Sequence, residues 1–259
     1  MTSKLANLFI LGVQKAGTTA LASFLSQHPQ ICVASNKEAH VFDDPEYLNS
    51  DAKFAFAESK YAKLFNDPEH RAAYYCDATP ITLFHSVFLK ECVQYNQSAK
   101  YLVILRNPIE RAFSQYGMSQ NKGIEKRSAT LAFLRDIIRF RKMKQQTPNW
   151  PFESAPRELS YLHRGQYCRQ LKLLFDLVDR ERVLVLWQQD LIEQHQISLD
   201  RIFNFLKVNA VEIQPSKVFS GDTQVNRIDK IIATTIAKCF FWFSGESAAK
   251  LTKILHPPS

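Results

Sequence analysis

Apolar and polar positions alternate along the chain so as to mark short buried strands between amphipathic helices. Leu8-Phe9-Ile10-Leu11 is apolar at every position and breaks at Gly12, the pattern of a strand covered on both faces. A helix is predicted from Thr18 or Thr19, with Ala20, Leu21, Phe24 and Leu25 on one face and His28-Pro29 past its end. Ile31-Cys32-Val33 and Ala73-Tyr74-Tyr75-Cys76 read as further strands, and residues 51–64 have helical character. Tyr101-Leu102-Val103-Ile104-Leu105 is the clearest buried strand. It stops at Arg106-Asn107-Pro108, and Pro108 suits the first turn of a helix beginning near Ile109. An amphipathic helix over 166–177, a strand over 182–186 and helices over 199–206 and 228–243 complete the pattern. Buried strands alternating with helices predict an α/β fold: a doubly wound parallel sheet flanked by helices, one domain over residues 1–259.

Composition narrows the function classes. With 46% hydrophobic and 22% charged residues the chain of 259 is neither disordered nor low in complexity. The longest apolar-leaning run, Ile231 to Phe243, falls short of the roughly 20 residues a bilayer span needs and contains Lys238. The N-terminus lacks the small-residue cleavage site of a secretory signal. Five scattered cysteines without C-x-x-C read as reduced core thiols of a cytoplasmic protein, and no histidine pair has zinc-site spacing, so no metal site is expected.

The net charge of +8 is concentrated. Lys122 to Lys144 holds eight basic and two acidic residues, a net of +6. Leu131, Leu134, Ile137 and Ile138 fit one apolar stripe there, which makes the charges a solvated helix face. The same charges also make a field that attracts an anionic partner. Only Phe133 and Phe140 interleave them, too little stacking surface for a nucleic-acid groove.

In a doubly wound sheet ligands sit beyond the carboxyl ends of the strands, which directs attention to residues 12–19 and 106–114. Gly12-Val13-Gln14-Lys15-Ala16-Gly17-Thr18-Thr19 joins a strand to a helix N-terminus, a phosphate cradle by its glycines, hydroxyls and first-turn amides. It is P-loop-like, yet Thr18 stands where a nucleotide-triphosphate loop needs lysine. The lysine is upstream, at Lys15, and the strand that would end in a magnesium-binding aspartate ends in Arg106. Sulfuryl transfer from a phosphosulfate suits this set. The group carries less charge than a phosphoryl group and needs a cation on the leaving oxygen rather than a divalent metal. In the second loop Arg106 offers a planar fork at a strand end and Ser114 a hydroxyl two helical turns on, both partners for a second phosphate.

Lys15-Ala16-Gly17-Thr18-Thr19 together with Leu105-Arg106-Asn107-Pro108 and Arg111-Ala112-Phe113-Ser114 resembles the superfamily of sulfotransferases dependent on PAPS (3′-phosphoadenosine 5′-phosphosulfate). The resemblance implies that Lys15, Ala16, Gly17, Thr18, Thr19 and Ala20 grip the 5′-phosphosulfate, and that Arg106 and Ser114 grip the 3′-phosphate. Lys37-Glu38-Ala39-His40-Val41-Phe42-Asp43 resembles the K-E-x-H-F-F-D stretch of the heparan-sulfate-type branch. There the glutamate is the base, so Glu38 would take the acceptor's proton, with His40 supporting or orienting it. At an ordinary carboxylate pKa of about 4.3 that needs help from burial near the donor or from late proton transfer.

Two departures stand out. Ala78, in Asp77-Ala78-Thr79-Pro80, replaces a lysine that relatives bring to donor or acceptor; a base from the 122–144 cluster is one candidate replacement. The C-terminal phosphate loop is blurred, with Arg227 and Lys230 as its candidates. The chain's start eleven residues before Gly12 leads us to expect a soluble protein like the bacterial members. The expected activity is transfer of a sulfuryl group from PAPS to a hydroxyl, without metal, on a carbohydrate acceptor, anionic ones included. A small hydroxylated metabolite is the alternative acceptor. A nucleotide kinase with a degenerate loop and a non-catalytic polyanion-binding module are the competing functions.

Overall fold

A computed structural model of the chain describes residues 5–69, 71–142, 154–215 and 225–256. Its five strands, β1 (Leu8–Gly12), β2 (Ile31–Val33), β3 (Tyr74–Asp77), β4 (Lys100–Leu105) and β5 (Val183–Trp187), form one parallel sheet in the order β2-β3-β1-β4-β5. The two longest buried runs, Leu8–Gly12 of β1 and Tyr101–Leu105 of β4, lie side by side in the middle, where both faces are covered. Their register pairs Phe9 with Tyr101 and Ile10 with Leu102, then shifts so that Gly12 meets Val103. Chain order reverses at β1, with β3 and β2 to one side and β4 and β5 to the other. The switch point of the sheet therefore falls between β1 and β4.

By its contacts the chain divides into two compact units. The first, Met1–Leu105 with Asp176–Phe219, holds the whole sheet. Its helix Thr18–Leu25 packs on β1 and β2 and its helix His195–Leu206 on β5. The second, Arg106–Phe175 with Ser220–Ser259, is helical among the described residues, led by Pro108–Asn121, Ala129–Lys142, Tyr167–Leu177 and Arg227–Phe243. Its core gathers Phe113, Tyr116, Phe133 and Tyr161 around the small side chains of Ala132, Ala233 and Ala237.

One expected pattern is overturned. In Ala129–Lys142 the buried face is Ala129, Ala132, Phe133 and Asp136, while Leu131, Leu134 and Ile138 are exposed. The alanines let the helix Arg227–Phe243 approach closely, and Asp136 is retained inside because it accepts from the Leu162 amide at 2.7 Å. Leu131, Leu134 and Ile138, which carry most of the hydropathy signal, lie on the other side, and of the expected stripe Ile137 alone packs against the core. Cys239 is likewise exposed rather than in the core, and Lys144 lies outside the described residues.

Candidate active site

The loop after β1 turns sharply at the switch point. The Val13 amide donates to the Ile104 carbonyl of β4 at 2.7 Å, and the Ala16 amide returns to the Val13 carbonyl at 3.0 Å. Lys15 takes a left-handed conformation (φ 69°), as does Gly17 (φ 97°) at the cap of helix Thr18–Leu25. Gly17 is needed for that φ rather than for room, since a Cβ there would make only ordinary contacts, 3.4 Å from Gln188 Nε2 and 3.7 Å from Ile104 Cδ1. No side chain caps the helix. The amides of Thr18, Thr19 and Ala20 have no carbonyl a turn earlier in the helix, so they suit an external anion. Ala16 and Thr18 are buried, Ala20 is half-buried and Thr19 is exposed.

A second turn of the same unit carries Glu38. Its backbone is pinned by Ala78, whose amide donates to the Lys37 carbonyl at 3.0 Å, and by Thr79, whose Oγ1 accepts from the His40 amide at 3.3 Å. Asp77, buried at the end of β3, accepts from the Ala39 amide at 3.2 Å, the Thr79 hydroxyl at 2.6 Å and the Tyr61 hydroxyl at 2.8 Å. Burial pushes the Asp77 carboxyl up despite those donors. The Asp77-Ala78-Thr79 stretch thus shapes the turn that carries Glu38.

On that turn the charges form a chain. Lys37 Nζ donates to Glu38 Oε1 at 2.5 Å and to Thr18 Oγ1 of the phosphate loop at 3.4 Å. His40 Nε2 lies 3.4 Å from Glu38 Oε2, and His40 Nδ1 lies 2.9 Å from Oδ2 of the fully buried Asp43. Burial works against a charged imidazole, yet hydrogen bonds to Asp43 and Glu38 and their negative charges push His40 up to about 9. Burial also works to raise Glu38, but the His40 hydrogen bond and the Lys37 charge outweigh it and hold the carboxyl below its ordinary range. Glu38 is therefore ionised at neutral pH and more weakly basic than an isolated carboxylate. Neither Asp43 nor Lys37 carried a role in the sequence reading, although both stand in the quoted stretch. The K-E-x-H-x-x-D spacing was the available signal.

In the second unit Asn107 caps the helix Pro108–Asn121 by accepting from the Ile109 and Glu110 amides, at 3.0 and 3.3 Å. Arg106, just before the cap, keeps its side chain partly exposed, with Nε 3.3 Å from Glu110 Oε2. Its carbonyl accepts from the Tyr167 hydroxyl at 2.8 Å. Ser114 is half-buried two turns into the helix. Arg111 of the same motif is fully buried, bonded to Gln115 Oε1 at 2.8 Å and to the Tyr161 carbonyl. Gly165 closes this corner, where a Cβ would meet Phe241 at 2.7 Å and Pro108 at 3.0 Å. Arg227 and Lys230 are exposed in the same unit, and residues 216–224 before them lie outside the described residues. The first unit brings Lys15, Thr18, Glu38 and His40 onto two adjoining turns, and the second carries Arg106 and Ser114 on one helix start.

A cavity of about 400 Å³ lined by Asn7, Tyr74, Lys100 and Lys207 opens at the amino ends of the strands. That is the opposite end of the sheet from the phosphate loop and the wrong end for a ligand of such a fold.

A family described as "Sulfotransferase domain" matches residues 5–235, a span that runs through both units. The membrane-associated sulfotransferase kil1 of Dictyostelium discoideum is 32% identical over 115 residues, 44% of this chain and 23% of that protein. The human heparan sulfate glucosamine 3-O-sulfotransferase 5 is 29% identical over 116 residues, 45% of this chain and 31% of that protein. The chain thus spans about a quarter to a third of the length of these relatives. Among solved structures, a sulfotransferase from Alicyclobacillus acidocaldarius superposes with a TM-score of 0.74 at 23% identity, over 98% of this chain and 97% of that one. That likeness establishes the α/β fold.

Proposed function

The chain belongs to the sulfotransferase domain family, and from that premise we propose that it moves a sulfuryl group from PAPS to a hydroxyl of a carbohydrate. Bound PAPS supplies the sulfuryl group and leaves as adenosine 3′,5′-bisphosphate. The uncapped first turn behind Gly17 fits the 5′-phosphosulfate end, held by the amides of Thr18, Thr19 and Ala20 and by the Thr18 hydroxyl. Lys15 stabilises the charge that grows on the leaving phosphate oxygen. Arg106 and Ser114 hold the 3′-phosphate. Transfer needs no divalent metal, because a sulfuryl group carries less charge than a phosphoryl group.

Glu38 accepts the proton of the attacking hydroxyl as its oxygen bonds to sulfur. Its lowered proton affinity fits a late transfer, when the acceptor oxygen has already lost electron density to sulfur. His40, charged and anchored on Asp43, fixes the carboxylate's orientation. Lys37 supplies the cation that Ala78 lacks.

The observation that carries this reading is the reach of Lys37 Nζ from Thr18 of the phosphate loop to Glu38, which joins a donor grip to a base. The carbohydrate acceptor is supported by the heparan-sulfate-type stretch at 37–43 and by the relative named for heparan sulfate. A small hydroxylated metabolite is the second acceptor class. A cytoplasmic setting belongs to this reading too, in keeping with five cysteines that form no disulfide among the described residues.

Thermal stabilisation by adenosine 3′,5′-bisphosphate, against ATP and each with and without EDTA, tests the donor site. At about 100-fold its dissociation constant a ligand adds roughly 2.7 kcal/mol of stability. A shift with the bisphosphate that survives EDTA is expected. A shift only with Mg·ATP would replace this reading with a kinase, and binding of polyanions alone would replace it with a non-catalytic module.

A further inference from the structure

The helix Arg227–Phe243 is apolar on two opposite faces. Ala233, Ala237 and Phe241 are buried in the core of the second unit. At 100° per residue the opposite side, within an arc of about 120°, is formed by Ile228, Ile231, Ile232, Cys239, Trp242 and Phe243, with Thr235 the polar residue among them. Ile228 is 69% exposed, Trp242 75% and Phe243 79%. The helix Ala129–Lys142, packed against it, leaves Leu131 and Ile138 more than half exposed as well. Together these are the makings of an interaction surface.

The charges around it say what covers it. On the helices Ala129–Lys142, Arg227–Phe243 and Ala248–Leu255 every charged side chain described as exposed is basic: Arg135, Arg227, Lys230, Lys238, Lys250 and Lys253. Their acids are used internally. Asp136 is buried against the Leu162 amide, and Asp229 accepts from the Ala129 and Thr130 amides at 2.7 and 3.0 Å. A second copy docked on this face would bring like charges together, whereas an anionic bilayer attracts each of them. The helix has 17 residues and carries Lys238, and no described helix is long and apolar enough to cross a membrane. It has the make-up of a helix that lies in the interface, aromatic and aliphatic on one face with Arg227 and Lys238 along one edge.

We propose that this face of the second unit docks on an anionic lipid surface, with Trp242 and Phe243 entering the acyl boundary and Lys238, Lys250 and Lys253 meeting lipid phosphates. Flotation with vesicles of phosphatidylcholine alone, and with about 30% phosphatidylglycerol, tests it. The protein should float with the anionic vesicles only, and the binding should weaken with salt. A Trp242→Ser/Phe243→Ser double variant should lose about tenfold or more in binding while its thermal midpoint stays put, because both side chains lie outside the core. Lys250→Glu with Lys253→Glu should cost about tenfold through charge alone. No flotation, equal binding to neutral vesicles, or a double variant that binds as the parent does would each overturn the proposal. So would a concentration-dependent dimer in sedimentation that the double variant dissolves, since a second copy would then occupy the face.

Discussion

The two stretches that hold the candidate chemistry are built in opposite ways. Between Gly12 and Asp43 the backbone turns through positive φ at Lys15, Lys37 and His40, three of the four non-glycine residues in that conformation among those described. Such residues persist only where the surroundings over-determine them, and for Lys37 and His40 the Asp77-Ala78-Thr79 stretch does so. Residues 106–114 are relaxed instead, with an asparagine cap, a proline in the first turn and regular helix beyond. The first stretch holds side chains against one another in an arrangement that open chain would not adopt. The second presents an arginine and a serine by helix geometry alone. On the function proposed above, the first would do the transition-state work and the second would grip the ground state.

Kinetics can break that division. Lys15→Ala should lower kcat by about 100- to 1,000-fold, the usual loss when one stabiliser of a developing oxyanion is removed. Glu38→Gln should cost about 100- to 10,000-fold in kcat, the range for a lost general base. Lys15→Ala should keep its thermal midpoint, and Glu38→Gln should bind adenosine 3′,5′-bisphosphate as the parent does. Near-normal turnover of Glu38→Gln would remove the carboxylate from the role of base.

The two arginines of the second stretch sharpen the comparison. Arg106→Ala should raise the KM for the donor by about 10- to 100-fold, the worth of one charged hydrogen bond to phosphate, with kcat and stability little changed. Arg111→Ala should do the reverse. It strands Gln115 and the Tyr161 carbonyl inside the helical core, at a cost of about 3 kcal/mol seen as an early denaturant midpoint. Gly165→Ala falls between them. The new methyl group must displace Phe241, so about 1–3 kcal/mol of stability is expected to go, and it goes at the corner that supports Pro108.

The same contrast explains what could be read from the sequence. Strands β1 and β4 and the capped start at Pro108 rest on local signals, and the structure has them within a residue or so of where the pattern puts them. The turn at residues 12–19 was legible because Gly12, Gly17 and Thr18 keep a spacing that a strand-to-helix connection imposes. What stayed hidden depends on partners distant in sequence or on volume rather than hydropathy. The loop's link to Glu38 is made by Lys37, 19 residues from Thr18. The inner face of Ala129–Lys142 is made of alanines, one phenylalanine and an aspartate with Ile137 beside them, so Leu131, Leu134 and Ile138 pointed the wrong way. Arg111 and Arg106 look alike in the motif, and only the packing of Tyr161 separates them.

The smallest expected effect probes the charge chain itself. His40 has its pKa raised to about 9 in the folded protein, against about 6.5 in an unfolded chain. Its contribution to stability is therefore fully present below about pH 6.5 and is lost as pH rises through about 9. Its side chain is about a third exposed (36%), so solvent screening keeps the effect modest. The thermal midpoint of the parent should fall by a few degrees between pH 6.5 and 9 more than that of His40→Gln, which has no titrating group at this position. Losing the imidazolium also removes the group that orients Glu38, so turnover should decline over the same window in the parent and follow a flatter profile from a lower start in His40→Gln. Identical pH profiles for the two proteins would mean that His40 is not charged between Glu38 and Asp43. Lys37 would then be the group that holds the carboxylate low.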